Sequence, residues 1–345
     1  MKVCIPIEFA PHGGGFYFLQ ALVAYFESIG WQVSNRLSDK YDVLFTNHWM
    51  VSRREILEAV RHNPRLRIVQ RIDGAAQDYG REDDADVRQR AVNMLADLTI
   101  FQSAYCRFST REKFPVIVQD GPIIHNPVDV ERFTPEGPRH SFPQKKMVAS
   151  SSWSVNPLKG AAQVYAVAKA NPEVGFVLAG NYPDAPELDN LHVPGVLDHE
   201  ELASVLRSCD TLLTFSQNEA CPNHVLEALA SGLPVLYTDS GAMGEVIGEA
   251  GLPVTVEDFE KKLEALLADK NEYSRRARQR SLQHFHPEII FPQYVQHIQK
   301  TLESPPHIPV IWRLLVAWTD WGVQKVNWLF SGIRFHTLRL PGKKR

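Results

Sequence analysis

TLLTFSQNEACPNHVLEALASGLPVLYTDSGAMGEVIGEAGLPV, residues 211–254, alternates β-prone and helical segments in an order that sets the fold class of the chain. Thr211 to Gln217 is short, apolar and β-prone, which predicts a buried strand ending at Ser216 and Gln217. Glu219 follows in a loop, and Pro222 suits the first turn of a helix that carries Val225, Leu226 and Leu229 on one face and stops at Gly232. Pro234 to Tyr237 is the next strand. This strand-loop-helix-strand order belongs to a parallel sheet, whose ligands bind beyond the carboxyl ends of the strands because helix N-termini converge there. Glu219 in the loop and Glu227 in the first turns of the helix stand at that place.

A carboxylate in such a loop accepts hydrogen bonds from sugar hydroxyls, and a second one on the helix can accept a pair from a vicinal diol. The adjacent helix N-terminus favours an anion such as a diphosphate. The plainer reading of the pair is two solvated helix-start carboxylates. Beyond the pair come Ala228-Leu229-Ala230-Ser231-Gly232-Leu233-Pro234-Val235 and Ser240-Gly241-Ala242-Met243-Gly244-Glu245. Together with Glu219 and Glu227 this closely resembles the signature of family 4 glycosyltransferases of the GT-B fold. The resemblance implies that Glu219 holds the donor sugar and Glu227 the ribose. It also implies that the turn from Gly241 to Glu245 lies near the sugar and phosphates, with Asn223 among the donor-binding residues.

The chain of 345 residues is long enough for two domains with separate cores. A hydrophobic content of 44% with 22% charged residues is that of a globular protein rather than a disordered or membrane-embedded one. Charge is uneven: net −1 over residues 1–133, −8 over 134–304 and +6 over 305–345. An acidic body with a basic tail predicts a tail that meets an anionic surface, either lipid or the protein's own acidic half. Cys4, Cys106, Cys209 and Cys221 show no metal or redox spacing, and Cys4 and Cys209 sit in apolar runs, so a reducing cytosol is the expected home. The N-terminus enters a strand with no secretory pattern, and no run of 18 apolar residues occurs.

Taken in order, Lys2 to Phe9 reads as a strand, followed by the loop Pro11-His12-Gly13-Gly14-Gly15 and an apolar helix from Phe16 to Ile29. The consecutive glycines are not a dinucleotide fingerprint. They make a tight turn or allow close approach of a ligand, and the resemblance, which carries a Gly pair here, points to Gly14 and Gly15 as donor-binding. Residues 53–71 hold Arg53, Arg54, Arg61, Arg65, Arg67 and Arg71, either a solvated helix face or a surface for anionic lipid. The next strand ends in Arg71-Ile72-Asp73-Gly74. The family often carries a His there, so Arg71 and Asp73 are a departure, and of the two it is Asp73 that offers a carboxylate. It can accept a proton from an acceptor hydroxyl or cap the next segment. Asp84-Ala85-Asp86 spells the metal motif of the other glycosyltransferase fold, but it opens a polar helix and reads as capping charge, not a metal site.

Ile123 to Phe133, with Asn126-Pro127 and Val128-Asp129, resembles the segment that closes the first domain in the family, and Pro135 to Pro143 reads as the linker. In the second domain the family grips the diphosphate with an Arg and a Lys five residues apart. Lys159-Gly160 matches, whereas Ser154 occupies the Arg position. One charge-assisted hydrogen bond is worth roughly 1.5–3 kcal/mol, about one to two decades in affinity. Asp198 with Glu201 predicts a capping box. Pro287 to Leu302 fits the family's closing helix, which returns to the first domain. From Pro309 to Phe335, Arg313, Asp320, Gln324, Asn327 and Ser331 form a narrow polar stripe at 100° per residue on an otherwise apolar, Trp-rich segment. That segment predicts an interfacial helix on a membrane, with Lys343-Lys344-Arg345 at the headgroups, or packing against protein.

The expected architecture is therefore α/β, GT-B: two Rossmann-like domains facing across a cleft, with a C-terminal amphipathic tail. The boundaries read 1–133, linker 134–145, 146–286, closing helix 287–304 and tail 305–345. The resemblance implies a retaining glycosyltransferase that needs no metal or other cofactor and moves a sugar from a nucleotide-sugar donor to a sugar or lipid-linked acceptor, in envelope glycan or glycolipid synthesis. Glu219, Lys159 and Asp73 are its catalytic candidates. Glu227, Gly14, Gly15, Ser154, Asn223, Gly241 and Glu245 are its donor-binding candidates. Competing readings are a sugar-nucleotide epimerase or hydrolase on the same fold, or a nucleotide-sugar-binding protein without turnover. The expected location is cytoplasmic, peripheral on the membrane face through 53–71 and 305–345. No nucleic-acid partner is expected.

Overall fold

The computed structural model describes residues 1–6, 14–47 and 51–318. The readings at His12, Gly13 and Lys343-Lys344-Arg345, and of the tail's stripe beyond Arg313, lie outside the described residues. Two parallel sheets carry the chain. The first comprises β1 (Lys2–Cys4), β2 (Gln32–Ser34), β3 (Val43–Asn47), β4 (Arg67–Ile72) and β5 (Leu98–Phe101) in the order β2-β1-β3-β4-β5. The second comprises β6 (Met147–Ser152), β7 (Gly175–Gly180), β8 (Leu191–Gly195), β9 (Thr211–Thr214), β10 (Val235–Tyr237) and β11 (Gly251–Pro253), in the order β8-β7-β6-β9-β10-β11. Residues 131–146 between them hold neither helix nor strand.

Each sheet is covered on both faces, as a sheet built from apolar parallel strands requires. In the first half the helices are α1 (Gly14–Ser28), α2 (Arg53–His62), α3 (Ala85–Asn93) and α4 (Ala104–Phe108). In the second they are α5 (Ala161–Ala170), α6 (His199–Arg207), α7 (Asn223–Ala230), α8 (Met243–Ile247), α9 (Phe259–Ala268) and α10 (Lys270–His284), and α11 (Pro287–Glu303) follows. Alternate residues of one strand serve opposite cores: Val43 and Phe45 pack with α1, while Leu44 packs with α2. Reciprocal capping boxes start α2 (Ser52 with Glu55) and α6 (Asp198 with Glu201). Helix α11 returns to the first half, burying Ile290, Phe291, Tyr294 and Ile298 against Phe18, Phe45 and Ile100. That contact is worth on the order of 6–10 kcal/mol as an upper bound. Burial also pushes the Cys4, Cys106 and Cys221 thiols up to about 12, as expected of core cysteines.

Several expectations are corrected by the packing. The strand expected over Thr211–Gln217 ends at Thr214 because the chain then turns to donate Gln217 N–H to Leu158 O (2.8 Å). Of the six arginines in 53–71, Arg67 and Arg71 lie inside β4 and are buried, so they contribute nothing to a surface. Asp86 does not merely bias its own helix: it is buried and accepts from Ala76 N–H (2.8 Å) and Gln77 N–H (3.2 Å), fixing a short helical turn, Ala76–Tyr79. Arg313, read as part of the segment's narrow polar stripe, is buried on helix 310–318, where it pairs with Asp97.

Candidate active site

The second sheet's order is that of a dinucleotide fold, 3-2-1-4-5-6, and its order reverses between β6 and β9. A crevice opens at such a reversal, beyond the strands' carboxyl ends. The loop after β6 contributes Lys159 there and the loop after β9 contributes Glu219, and Lys159 Nζ pairs with Glu219 Oε1. Lys159 closes a turn that starts at Asn156, whose side chain accepts Leu158 N–H (2.9 Å). Gly160 then takes a positive φ of 76° against Phe215, where a side chain would collide with the strand end. Ser154 Oγ accepts Asn156 N–H (3.2 Å), so the serine at the expected arginine position shapes this loop.

Glu219 is likewise held by its neighbours. Asn218 before it is left-handed (φ 58°), a conformation Asn tolerates better than most side chains. Gly241 (φ 65°) presses onto Glu219 so closely that a Cβ would lie 2.5 Å from its backbone nitrogen. Ala242 N–H donates to Glu219 O (2.8 Å). Glu227, about one turn into α7, is half-buried and receives no hydrogen bond among the described residues, and burial alone pushes its carboxyl up to about 8. Between the two, His224 on the first turn of α7 faces Thr214 Oγ1 (3.1 Å), with burial pushing its ring down to about 4. Glu227 therefore lies on the helix that follows Glu219 but takes no part in the hydrogen bonds of the Lys159–Glu219 pair.

On the first half the corresponding reversal lies between β1 and β3. Gly15, in the first turn of α1, faces Asn47 at the end of β3: a Cβ there would lie 3.4 Å from Asn47 Nδ2 and 4.0 Å from Asp73 Oδ2. Gly14 opens the same helix. Asp73 does not cap the following segment. Its oxygens accept from Asn47 Nδ2 (3.0 Å), Arg71 Nη1 and Gln102 Nε2. Arg71 is the buried hub of this cluster, with its guanidinium 3.9 Å from the Phe18 ring centroid and a hydrogen bond to Asn126. Asn126 passes the connection on to Asn223 Oδ1 at the start of α7 (2.8 Å). Asn223 therefore lies in a continuous polar chain from Asp73 to the helix that bears Glu227.

The halves also meet directly above the ion pair. Asn156 Nδ2 donates to Tyr79 O (2.9 Å), Ala220 N–H donates to Tyr79 Oη (3.3 Å), and a Cβ on Gly74 would lie 3.5 Å from that of Ala220. Asn218 Nδ2 donates to Asp78 O (2.8 Å) and its Oδ1 accepts from Tyr105 Oη (3.1 Å). Glu245 reaches across to the first half, accepting Ala104 N–H (2.9 Å), Tyr105 N–H (3.3 Å) and the His125 ring (2.9 Å). Burial raises its carboxyl, but those donors more than offset this and hold it below the ordinary value. Arg71, Tyr79, Tyr105, Asn126 and Asn218 had no site role in the sequence reading. Only Asn218, a residue suited to a left-handed turn next to Glu219, carried a local signal.

A cavity of about 570 Å3 lies elsewhere, between the 135–139 segment and α10. Two of its arginines are committed to backbone carbonyls, Arg207 to Pro138 O (2.9 Å) and Arg278 to Ala230 O at the end of α7 (2.7 Å), and Arg275 is paired with Glu272. It is a seam fastened by helix-end capping, remote from Lys159 and Glu219.

Comparison with known proteins agrees with this geometry. The profile of the family described as Glycosyl transferases group 1 matches residues 158–269, which include Lys159, Glu219, Glu227 and Glu245. A GDP-mannose-dependent alpha-mannosyltransferase of Mycobacterium tuberculosis is 30% identical over 188 residues, covering 50% of this chain and 48% of that protein. An MMP alpha-(1->4)-mannosyltransferase of Mycolicibacterium hassiacum is 27% identical over 239 residues, covering 63% and 57%. The matches thus span about half the length of these relatives. Among solved structures, sucrose-phosphate synthase from Thermosynechococcus elongatus superposes with a TM-score of 0.70 at 16% identity, covering 87% of this chain and 98% of that one. Anabaena HepE in complex with UDP-glucose superposes with a TM-score of 0.68 at 14% identity, covering 87% and 100%. Residues 158–269 thus match the group 1 glycosyl transferases, and the chain, with its two parallel sheets and the paired Lys159 and Glu219 at the reversal point, takes the GT-B fold.

Proposed function

We propose that the protein transfers a sugar from a nucleotide-sugar donor to an acceptor hydroxyl in the cleft between its halves. The observation that carries this reading is the Lys159–Glu219 pair at the order reversal of the second sheet, roofed by Tyr79 of the first half. In this reading Lys159 supplies countercharge to the departing diphosphate, a stabilisation that grows as the glycosidic bond breaks. Glu219 holds the donor sugar and Glu227 accepts the ribose diol, for which its unpartnered carboxyl is suited. Asp73 already accepts from three donors, which suits orienting an acceptor better than removing its proton.

The finer assignments belong to the same proposal: retention at the anomeric carbon, with the donor's own phosphate oxygen as base; no metal, since Lys159 provides the charge; an envelope glycan or glycolipid acceptor; and peripheral contact with an anionic membrane. Among the described residues no helix is long and apolar enough to cross one. The test is a thermal-shift screen of GDP-mannose, UDP-glucose and ADP-, dTDP- and CMP-sugars, followed by product analysis with candidate acceptors. Transfer with an unchanged anomeric configuration supports the proposal. Turnover of donor without acceptor identifies an epimerase or hydrolase, and binding without turnover identifies a binding protein. Failure of every nucleotide sugar to bind overturns the site.

A further inference from the structure

The cavity of about 570 Å3 between the 135–139 segment and α10 carries a charge that the transfer reading does not use. Arg139, Arg207, Lys270, Arg275 and Arg278 all line it. Lys270 pairs with Asp210 and Arg275 with Glu272, whereas among the described residues Arg139, Arg207 and Arg278 form no ion pair. Their partners are neutral. Arg207 is buried and donates to Pro138 O (2.9 Å) and Arg132 O (3.3 Å), and Arg139 donates to Arg207 O and to Pro135 O (3.3 Å). Arg278 spends Nη1 alone, on Val130 O (3.0 Å), Phe133 O (3.0 Å) and Ala230 O (2.7 Å). A guanidinium cannot shed its proton, and a carbonyl satisfies its N–H groups without cancelling its charge. Glu136 is exposed outside the cavity lining, where a hydrogen bond from Thr134 and then the Arg278 charge hold its carboxyl below the ordinary value. The wall thus keeps three cations without an ion-pair partner, in a stretch, residues 134–304, whose net charge is −8.

We propose that this cavity is a second ligand site, for a small organic phosphate whose phosphoryl group meets Arg278 and Arg139 and whose carbon body meets Leu206, Leu233 and Leu282. The Nε–Nη2 edge of Arg278 has no protein partner among the described residues, and such an edge takes an oxyanion through two parallel N–H bonds. A dianion answers three unpaired cations, one of them the buried Arg207, better than a carboxylate does. Leu206 and Leu233 are buried and Leu282 is 39% exposed, so the lining also offers apolar surface to the rest of the ligand. The volume is usual for a small-molecule site. The cavity touches the carboxyl end of α7, where Arg278 holds Ala230 O and Ser231 Oγ donates to Glu227 O (2.9 Å), while Glu219 precedes the amino end of that helix. The two sites therefore lie at opposite ends of one helix, and the inference stands independently of the proposed transfer activity.

The test titrates the full chain calorimetrically with n-hexyl phosphate and with inorganic phosphate, in the absence of any nucleotide sugar. Hexyl phosphate is expected to bind one-to-one and at least about tenfold more tightly than inorganic phosphate, because only the former covers the leucines. Arg278→Gln removes the forked donor, and Leu282→Glu sets a carboxylate beside the guanidinium groups. Each should weaken hexyl phosphate about ten- to hundredfold, whereas Lys159→Ala should leave its affinity unchanged. Arg278→Gln also loses the hydrogen bonds to three carbonyls, so the decisive variant is Leu282→Glu, whose exposed position leaves the melting temperature at the wild-type value. No binding of hexyl phosphate, equal affinity for the two phosphates, or wild-type affinity in Leu282→Glu overturns the proposal. Loss of binding in Lys159→Ala does so as well, since the anion would then belong to the cleft between the halves.

Discussion

The carboxyl of Glu227 offers the sharpest quantitative test. In the unfolded chain it ionises near 4.5, whereas burial without a hydrogen-bond donor keeps it protonated in the folded protein up to about 8. Between those values the unfolded state has released a proton that the folded state still holds, so stability falls as pH rises from 4.5 to 8 and levels off above. The full displacement corresponds to at most about 5 kcal/mol, and the partial exposure of the group reduces this to ~2–3 kcal/mol. Glu227→Gln removes the cost. It should melt with the wild type at pH 4.5 and ~4–10 °C above it at pH 8.5. A ribose diol that donates two hydrogen bonds to the ionised carboxylate should expel up to one proton on binding at pH 7. Calorimetric heats for UDP or GDP should then differ between phosphate and Tris buffers by that proton's transfer, and affinity should rise with pH towards 8. The Gln variant should lose both the buffer dependence and most of the affinity. Identical heats in the two buffers for the wild type, or parallel melting profiles at every pH, would show that Glu227 is neither held protonated by burial nor ionised by the ribose.

Two further substitutions test the supports of the site, and a third tests the anchor of helix 310–318. Gly241→Ala places a methyl 2.5 Å from the Glu219 nitrogen at a φ of 65° and should cost ~2–4 kcal/mol in urea unfolding, with nucleotide binding weakened at least tenfold; wild-type binding would show that this turn does not shape the Glu219 loop. Asn218→Gly keeps the left-handed turn but removes the hydrogen bonds to Asp78 and Tyr105. At about 1 kcal/mol each, their loss should lower kcat ~10- to 30-fold while donor affinity changes little, and a change confined to KM would mean the bonds serve binding rather than closure. Arg313→Ala leaves Asp97 buried without its partner and should destabilise the first half by ~3–5 kcal/mol, read as a lower urea midpoint; an unchanged midpoint would mean that helix 310–318 is not anchored there.

Periodicity and punctuation made most of the architecture legible in the sequence. The run from Thr211 to Val235 announces strand, loop, helix and strand because apolar spacing, Pro222 and Gly232 are local signals, and the Asp198–Glu201 box sits where its spacing predicts. The Glu219, Glu227 and Lys159 positions could be picked out because each lies at a fixed offset from such an element. Which of them share hydrogen bonds is a matter of how loops after β6 and β9 approach one another, and only the folded chain pairs Lys159 with Glu219 while leaving Glu227 unpartnered. The cross-cleft contacts of Tyr79, Tyr105, Asn126 and Asn218 join residues up to 141 positions apart, and no local pattern records them. The tail shows the same division. Its amphipathic stripe was evident at 100° per residue, but its direction was not, because the partner that draws Arg313 inward, Asp97, lies 216 residues earlier and becomes its neighbour only once the first sheet has formed.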